Sequence, residues 1–598
     1  MKNLRSLNIY LIRYRYRLLL GVLFIILANI FGVYSPQVIR NAIDSVTSQI
    51  NYSRFFMGGS LEESYSRLFG LSILFFGIVV VILAILRGIF LFFMRQTIIV
   101  MSRMIEFDQK NEIYTHYQKL HLDFYKRNNT GDLMSRITED VSRVRMYTGP
   151  AIMYTINLIV LFTMVIYTMI RVNPVLTLYT VLPLPVLGAT IFFVNGIIER
   201  KSELIQQQIA FLTTVTQESF SGIRVIKSYV QEKFMNNYFI EEAENYKARA
   251  LDLARVEAIY FPVIFILVGL STLLTVFIGG TQVIQGKITA GNIAEFVIYI
   301  NMLTWPIASV GWVMALVQRA GASQKRIDEF LNTSTEIISP DILREDIHGG
   351  IEFRNVSLTY PDTGIHALSN ISFKIKKGQR LAVIGRTGSG KSTLGQLLIR
   401  MYDPDGGQLL VDGKPAGELN LHSLRKQIGY VPQDVFLFSD SIKNNIAFGL
   451  NDDEVDMDAV KNAAMHASVY QDIEQLPLQF ETMVGERGIT LSGGQKQRIS
   501  IARALIKNPK VMVFDDCLSA VDAQTEQNIL GYLDHVLAGK TAIIITHRIF
   551  ALLNFDKIIV LENGRITEEG THHSLMNLRG IYFDLYERQQ SEERILAV

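Results

Sequence analysis

The stretch Gly385-Arg386-Thr387-Gly388-Ser389-Gly390-Lys391-Ser392-Thr393 follows the spacing G-x-x-x-x-G-K-[ST], and its residue types suit an oxygen-rich ligand. Glycines let backbone N–H groups turn inward around phosphate oxygens, a lysine at this position reaches the β/γ-phosphates, and the following hydroxyl can ligate Mg²⁺. An apolar run, Leu381–Ile384, precedes the loop and a helix-like run, Thr393–Met401, follows it, which gives the required strand, loop, helix order. Three further polar groups end short apolar runs. Val511–Asp515 ends in a carboxylate with Asp516 directly behind it, Ile543–His547 ends in an imidazole, and Gln433 follows Ile428–Val431 and Pro432. Continuous apolar runs of this length read as buried parallel strands, and ligands of open α/β sheets bind beyond strand C-termini. Asp515, Asp516, Gln433 and His547 are therefore expected to line one crevice with the phosphate loop, Asp515 facing Mg²⁺. Tyr360 ends the alternating segment Ile351–Tyr360 ahead of a Pro-Asp turn signal, where a ring could stack on adenine or simply close a strand.

These residues need a scaffold, and the bulk composition describes two. At 598 residues the chain exceeds one hydrophobic core. A mean hydropathy of +0.24 is high for a soluble protein, and the excess lies before about residue 320. A net charge of +2, without a basic stripe interleaved with aromatics, gives no nucleic-acid signal. A single cysteine, Cys517, excludes an intrachain disulfide and reads as a small buried residue. The first apolar run is too long for the core of a cleavable signal.

Charge-free stretches run Leu18–Ile39, Leu68–Leu86, Met146–Ile170, Val172–Ile198, Ala258–Gly286 and Phe296–Gln318. Each meets, or falls one residue short of, the roughly 20 residues that a spanning helix needs. Lys2, Arg5, Arg13, Arg15 and Arg17 before the first span, against Asp44, Glu62 and Glu63 after it, put the N-terminus in the cytoplasm. Leu7–Tyr16 reads as an interfacial elbow helix. The connections Phe93–Arg145 and Glu199–Glu257 are long and charged, with apolar residues at helical spacing such as Met104, Phe107, Ile113 and Tyr117. The expected picture is spanning helices prolonged into the cytoplasm; the alternative is a pair of separate helical hairpins. Pro36, Pro183, Pro185, Pro262 and Pro306 are expected as packing features or mild kinks. Arg87 is flanked by apolar residues on both sides, and an intramembrane charge is a functional hypothesis. The favoured expectation places it where span two leaves the cytoplasmic interface. Trp305 and Trp312 share one face of span six, as cavity lining, packing or anchors.

Taken together, these features resemble a half-transporter of the ABC exporter family over essentially the whole chain. The resemblance rests on Tyr360 at the adenine-stacking position, Gly385–Thr393 as Walker A, Gln433 as the Q-loop, Leu491-Ser492-Gly493-Gly494-Gln495 as the signature, Val511–Asp515 as Walker B and His547 as the switch histidine. Ser519–Asp522 is similar to the D-loop, and Thr482–Gly488 to the exporter segment that meets the cytoplasmic loops. Thr130–Arg136 and Ser221–Lys227 are similar to the exporters' two cytoplasmic-loop segments. The resemblance implies a six-span α-helical membrane domain over 1–331, a linker over 332–349 and an α/β phosphate-loop ABC ATPase domain over 350–598. It implies ATP and Mg²⁺ as cofactors, with Ser392, Gln433 and Asp515 around the metal and Asp522 at the nucleotide interface. It also implies a head-to-tail dimer in which Ser492, Gly493, Gly494 and Gln495 of one chain cap ATP on the other's Walker A. The setting implied is a cell membrane with the ATPase domain and both termini cytoplasmic.

One position departs from the family pattern. The residue after the Walker B aspartate is normally Glu, and here it is Asp516. The carboxylate is one methylene shorter, and a displacement of about an ångström can cost on the order of 100-fold in rate. Slow hydrolysis at this chain's own site is expected, as in one half of a heterodimeric multidrug exporter, although His547 is retained where degenerate chains often lose it. The leading expectation is ATP-driven export of amphipathic small molecules. The alternatives are a homodimeric lipid flippase, for which Arg87 is the one basic candidate, and an ATP-gated channel or regulatory subunit.

Overall fold

The structure, a computed structural model, describes residues 2–56, 62–341, 345–450, 455–485, 488, 491–517, 529, 531–532, 539–547 and 555–596. The chain divides into two compact units, Met1–Gln118 with Gly131–Thr333, and Lys119–Thr130 with Ser334–Val598.

The first unit is helical. Its principal helices are α1 (Arg15–Phe56), α2 (Glu62–Lys119), α3 (Ile152–Val172), α4 (Pro183–Ser221), α5 (Glu232–Ile284) and α6 (Ala290–Leu331). Among the described residues six stretches are long and apolar enough to cross a membrane, and each of these helices carries or ends one. At 58 residues α2 runs for roughly 87 Å, nearly three times the hydrocarbon thickness. The long charged connections are therefore prolongations of the spanning helices, and separate hairpins do not form. Before α3 the chain widens into π-helical turns at Arg136–Asp140 and Tyr147–Ala151. Pro150 sits in the second, where a widened turn tolerates its missing N–H. At Pro183 span four passes from a short helix, Pro174–Val181, into α4 through the single residue Leu182, whose φ of −50° and ψ of −40° stay helical, so the proline is a local break within a continuing span. Pro36, Pro262 and Pro306 lie inside continuous helices.

Polar pins tie the helices together. Asp44 at the far end of α1 accepts from Gly291 N at 2.9 Å and from Thr289 Oγ1 at 2.7 Å, which anchors the start of α6. Buried Glu295 pairs with Arg40 at 3.2 Å, and Tyr299 donates to Val33 O at 3.0 Å. Asn29 of α1 donates to Asn157 of α3 at 2.9 Å, each near the middle of its charge-free run. The elbow helix, Asn8–Arg13, is held by Tyr10 on Glu112 and by Arg13 on Asp108 at 2.7 Å.

Arg87 does not lie at the interface. Helices α1 and α2 run antiparallel, with Gly21 against Ile98, Phe24 against Phe93, Phe31 stacked on Phe90 and Gly32 under Arg87. The charge-free run of α2 is bounded by Arg87 in sequence, but its packing register continues the membrane-spanning face well beyond it.

The second unit has two sheets. One is antiparallel, in the order β2-β1-β4-β5, from β1 (Ile351–Thr359), β2 (His366–Ile375), β4 (Gly406–Val411) and β5 (Lys414–Pro415). The other follows the order β10-β9-β3-β8-β7-β6, from β3 (Arg380–Gly385), β6 (Ile428–Val431), β7 (Val511–Asp515), β8 (Thr541–Ile545), β9 (Lys557–Glu562) and β10 (Arg565–Gly570). The five strands from β9 to β6 are parallel and only the edge strand β10 is antiparallel. β7 and β8 are buried along their whole length, as their uninterrupted apolar composition requires. Register pairs Val383 with Ile545 and Ile545 with Asp515, so the C-termini of β3, β8 and β7 share one edge. Cys517 is buried in the core just beyond that edge.

Candidate nucleotide-binding and hydrolysis site

The phosphate loop leaves β3 at Gly385 and enters α7 (Lys391–Leu398). Gly385, Gly388 and Gly390 have φ of 155°, 81° and 94°. Two of these glycines are also sterically required. A Cβ on Gly385 would overlap Leu561 O, and one on Gly390 would overlap Ala367 O. Arg386 and Thr387 are exposed on the rim, whereas Ser389 is buried with an Oγ that has no partner among the described residues. A buried orphan hydroxyl in a glycine cradle fits a phosphate oxygen. Lys391 Nζ donates to Gly385 O and Arg386 O, both at 2.8 Å, so the loop is cinched around its own lysine. Burial holds the Lys391 ammonium below its ordinary range, against the pull of Asp516 and Asp515.

Asp515 is the buried acid of the site. Ser392 donates to it at 2.8 Å and Tyr430 at 3.1 Å. Burial pushes its carboxyl up, and these two hydroxyls only partly oppose the shift. A desolvated carboxylate joined to a serine hydroxyl is a ligand pair suited to a hard cation. Gln433 does not reach Asp515. Its Nε2 donates instead to Asp516 at 3.3 Å, while His547 Nδ1 lies 2.9 Å from the other oxygen of Asp516. Asp516 itself has φ of 46° and its N–H donates to Ile545 O at 2.9 Å, so a backbone held in the left-handed region aims its side chain between the amide and the imidazole. The three residues expected to handle water are thus joined.

Tyr360 sits beside α7. Its hydroxyl lies 2.9 Å from Thr393 Oγ1 and donates to Gln396 at 3.2 Å. Its ring is edge-on to Tyr402, with Lys126 Nζ 4.5 Å from the centroid. The signature serine, Ser492, opens α8 (Gly493–Leu505) as a capping box with Gln495: Ser492 Oγ accepts from Gln495 N at 3.2 Å and Gln495 Oε1 accepts from Ser492 N at 3.0 Å. Gln495 and Arg498 both hold Asp472, at 3.2 and 2.9 Å. The free N–H groups of Gly493 and Gly494 at this helix start suit an anion. Among the described residues no hydrogen bond joins the signature to the phosphate loop, and they pack on different cores. Asp522, with Glu486 and Arg487, lies outside the described residues. Sequence reading missed Tyr430, Tyr402, Lys126 and Asp472. Only Tyr430 leaves a trace, a polar head in an otherwise apolar strand.

The fold and the site define an ABC-type nucleotide-binding domain in one chain with a membrane domain of six spanning helices among the described residues. Comparison with known proteins agrees: the family described as ABC transporter transmembrane region matches residues 18–307, and the family described as ABC transporter matches 368–519. The probable multidrug resistance ABC transporter ATP-binding/permease protein YheI of Bacillus subtilis is 34% identical over 98% of this chain and 97% of its own. The multidrug resistance-like ATP-binding protein MdlA of Escherichia coli is 33% identical over 99% and 97%. The ATP-dependent lipid A-core flippase of Methylococcus capsulatus is 34% identical over 85% and 84%. The solved structure of a bacterial Atm1-family ABC exporter with ATP bound aligns at a TM-score of 0.76 and 26% identity, over 96% of this chain and 98% of that one. The chain belongs to the ABC exporter half-transporters, as a multi-pass membrane protein that binds ATP and couples its hydrolysis to transport.

Proposed function

We propose that this protein is one half of a dimeric exporter of amphipathic small molecules, with a nucleotide site of its own that binds Mg-ATP firmly and hydrolyses it slowly. Lys391 and the loop amides would hold the phosphates, Ser392 and Asp515 the Mg²⁺, and Tyr360 the adenine. Ser492 with the Gly493 and Gly494 amides would cap ATP on the partner chain. The observation carrying the slow-site reading is Asp516: a carboxylate one methylene short of the usual glutamate, already engaged by Gln433 and His547. A heterodimer with a second half-transporter that carries Glu follows from it. The membrane domain would sit in the cytoplasmic membrane with its ATPase unit inside the cell. A lipid flippase is the second reading, supported by the flippase relatives and by the position of Arg87.

The test is ATP-dependent accumulation of a fluorescent amphiphile in inside-out membrane vesicles. Accumulation is expected with ATP, and none with Lys391→Ala. In the heterodimer, Ser492→Ala is expected to slow hydrolysis at the partner's Walker site more than at this chain's. Loss confined to the same chain's Walker site would contradict the head-to-tail arrangement.

A further inference from the structure

We propose that Tyr430 sets the cation preference of the nucleotide site, favouring Mg²⁺ over Ca²⁺ by holding one oxygen of Asp515 away from the metal. The proposal rests on the reading that places the metal at Ser392 and Asp515.

Tyr430 lies on β6, the edge strand beside β7, where it pairs with Val513. Residues two apart on a strand share a face, so Asp515 points to the same side of the sheet as Val513, the side on which Tyr430 and α7 pack. Asp515 stands about 7 Å further along β7 than Val513, a gap that takes a long side chain to cross. Gly395 of α7 makes room for that side chain. A Cβ there would stand 3.1 Å from Tyr430 Cε2 and 3.3 Å from Val513 Cγ1. The ring therefore lies between α7 and β7, and its hydroxyl donates to Asp515 Oδ2 at 3.1 Å. Three residues further on, Gln433 holds Asp516 at 3.3 Å, so one segment of chain restrains the two carboxylates at the tip of β7 separately.

The two oxygens of Asp515 are thereby given different surroundings. Ser392 donates to Oδ1 at 2.8 Å and Tyr430 to Oδ2, and among the described residues the side chain accepts from no other group. Ser392 belongs to the phosphate loop, so Oδ1 is the oxygen on the nucleotide side. A phenol is neutral at physiological pH, so Tyr430 restrains Oδ2 without cancelling the charge that attracts a cation. The carboxylate is also buried, so water does not compete for the restrained oxygen. Asp515 can then offer a metal one oxygen and not two. The narrow bite of a single carboxylate does not fit the near-ideal octahedron of Mg²⁺, whereas Ca²⁺ accepts both oxygens in its larger and more flexible shell. Holding Oδ2 aside deprives Ca²⁺ of a ligand and leaves Mg²⁺ its own. Hydrogen bonds that orient a metal ligand in this way change metal affinity about 10- to 100-fold.

The experiment uses the full chain in phosphatidylcholine nanodiscs and follows binding of a fluorescent, non-hydrolysable ATP analogue against Mg²⁺, against Ca²⁺ and in EDTA. Wild type is expected to reach half-saturation at lower Mg²⁺ than Ca²⁺. Tyr430→Phe keeps the ring against Gly395 and loses only the hydroxyl. It should cut the preference for Mg²⁺ over Ca²⁺ about 10-fold, with analogue binding in EDTA unchanged. Tyr430→Leu should show the same loss of preference, which keeps the test readable if the Phe variant folds poorly. No Mg²⁺ preference in wild type, an unchanged preference in both variants, or equal weakening of both ions would overturn the proposal and leave Tyr430 a packing residue. Ser392→Ala separates this proposal from the reading beneath it, and should raise the half-saturating concentration of both ions. A cation dependence untouched by Ser392→Ala would remove the metal-site reading and this proposal with it. A site that depends on Ser392 but is indifferent to Tyr430 would sink this proposal alone.

Discussion

Asp515 and Glu295 are both buried carboxylates, one at the tip of β7 and one near the start of α6, and they are held in different ways. Glu295 faces the Arg40 guanidinium at 3.2 Å and the Tyr299 hydroxyl at 3.1 Å. Asp515 accepts from two neutral hydroxyls, Ser392 and Tyr430, and although these and the Lys391 ammonium draw its carboxyl down, burial pushes it up on balance. The first charge is neutralised within the fold and serves as a pin between α1 and α6. The second is left to be neutralised by a ligand. The arginines repeat the contrast, since Arg40 is paired with Glu295 where Arg87 has no ion-pair partner among the described residues. A buried or intramembrane charge with its partner supplied reads as structure. One without reads as function, because the unmet desolvation cost is recovered only on binding.

Three substitutions would break or sharpen that contrast. Lys391→Ala has the largest expected effect. It removes the principal cation of the phosphate loop and should weaken ATP about 100-fold, with loss of nucleotide-stabilised dimer closure in equilibrium binding and cross-linking assays. Unchanged affinity would detach Lys391 from the phosphates.

Glu295→Ala comes next. It leaves Arg40 without its counter-charge, and breaking a buried pair from one side costs about 3 kcal/mol. A matching drop in the urea or thermal midpoint in nanodiscs is expected, with ATP affinity unchanged. No drop would make Glu295 a functional charge like Asp515.

Asp515→Asn should act with the opposite sign. An acid whose folded pKa is raised contributes its stability at low pH and loses it as pH rises through the carboxylate range. Relative to the Asn variant, ligand-free wild type should therefore lose stability as pH rises above the ordinary aspartate range, and Mg-ATP should restore wild type alone. A wild-type advantage that grows with pH would show that Ser392 and Tyr430 already satisfy the carboxylate.

The sequence discloses the two regions unequally. Walker A, the signature and the strand-end residues Asp515, Asp516, Gln433 and His547 are legible because a parallel sheet fixes where a residue after a strand must point, and the structure brings the last three together. The link from Gln433 to Asp516 rather than Asp515 is not legible, since it depends on the left-handed backbone at Asp516. The six spans are legible from composition. The depth of Arg87 is not. A charge ends an apolar run when residues are counted along one chain, so Leu68–Leu86 looks like a complete span. Only the packing of Gly32 and Phe31 on the neighbouring helix shows that α2 continues through the membrane past Arg87. Trp305 and Trp312 share a face as expected, but the ring that unites them, Tyr154, at 5.7 and 5.6 Å, comes from α3.

The account turns on Asp516, and steady-state phosphate release tests it most directly. The protein purified alone is measured as wild type, Asp516→Glu and Asp516→Asn, with the Walker-B-adjacent glutamate of a partner replaced by Gln in the heterodimer. Slow release by wild type is predicted, with little further loss in Asp516→Asn and acceleration of up to about 100-fold in Asp516→Glu as the carboxylate regains its reach. The partner substitution should stop turnover of the pair. Brisk release by the wild-type chain alone, collapsing in Asp516→Asn, would contradict the slow-site assignment and make the protein a self-sufficient homodimer.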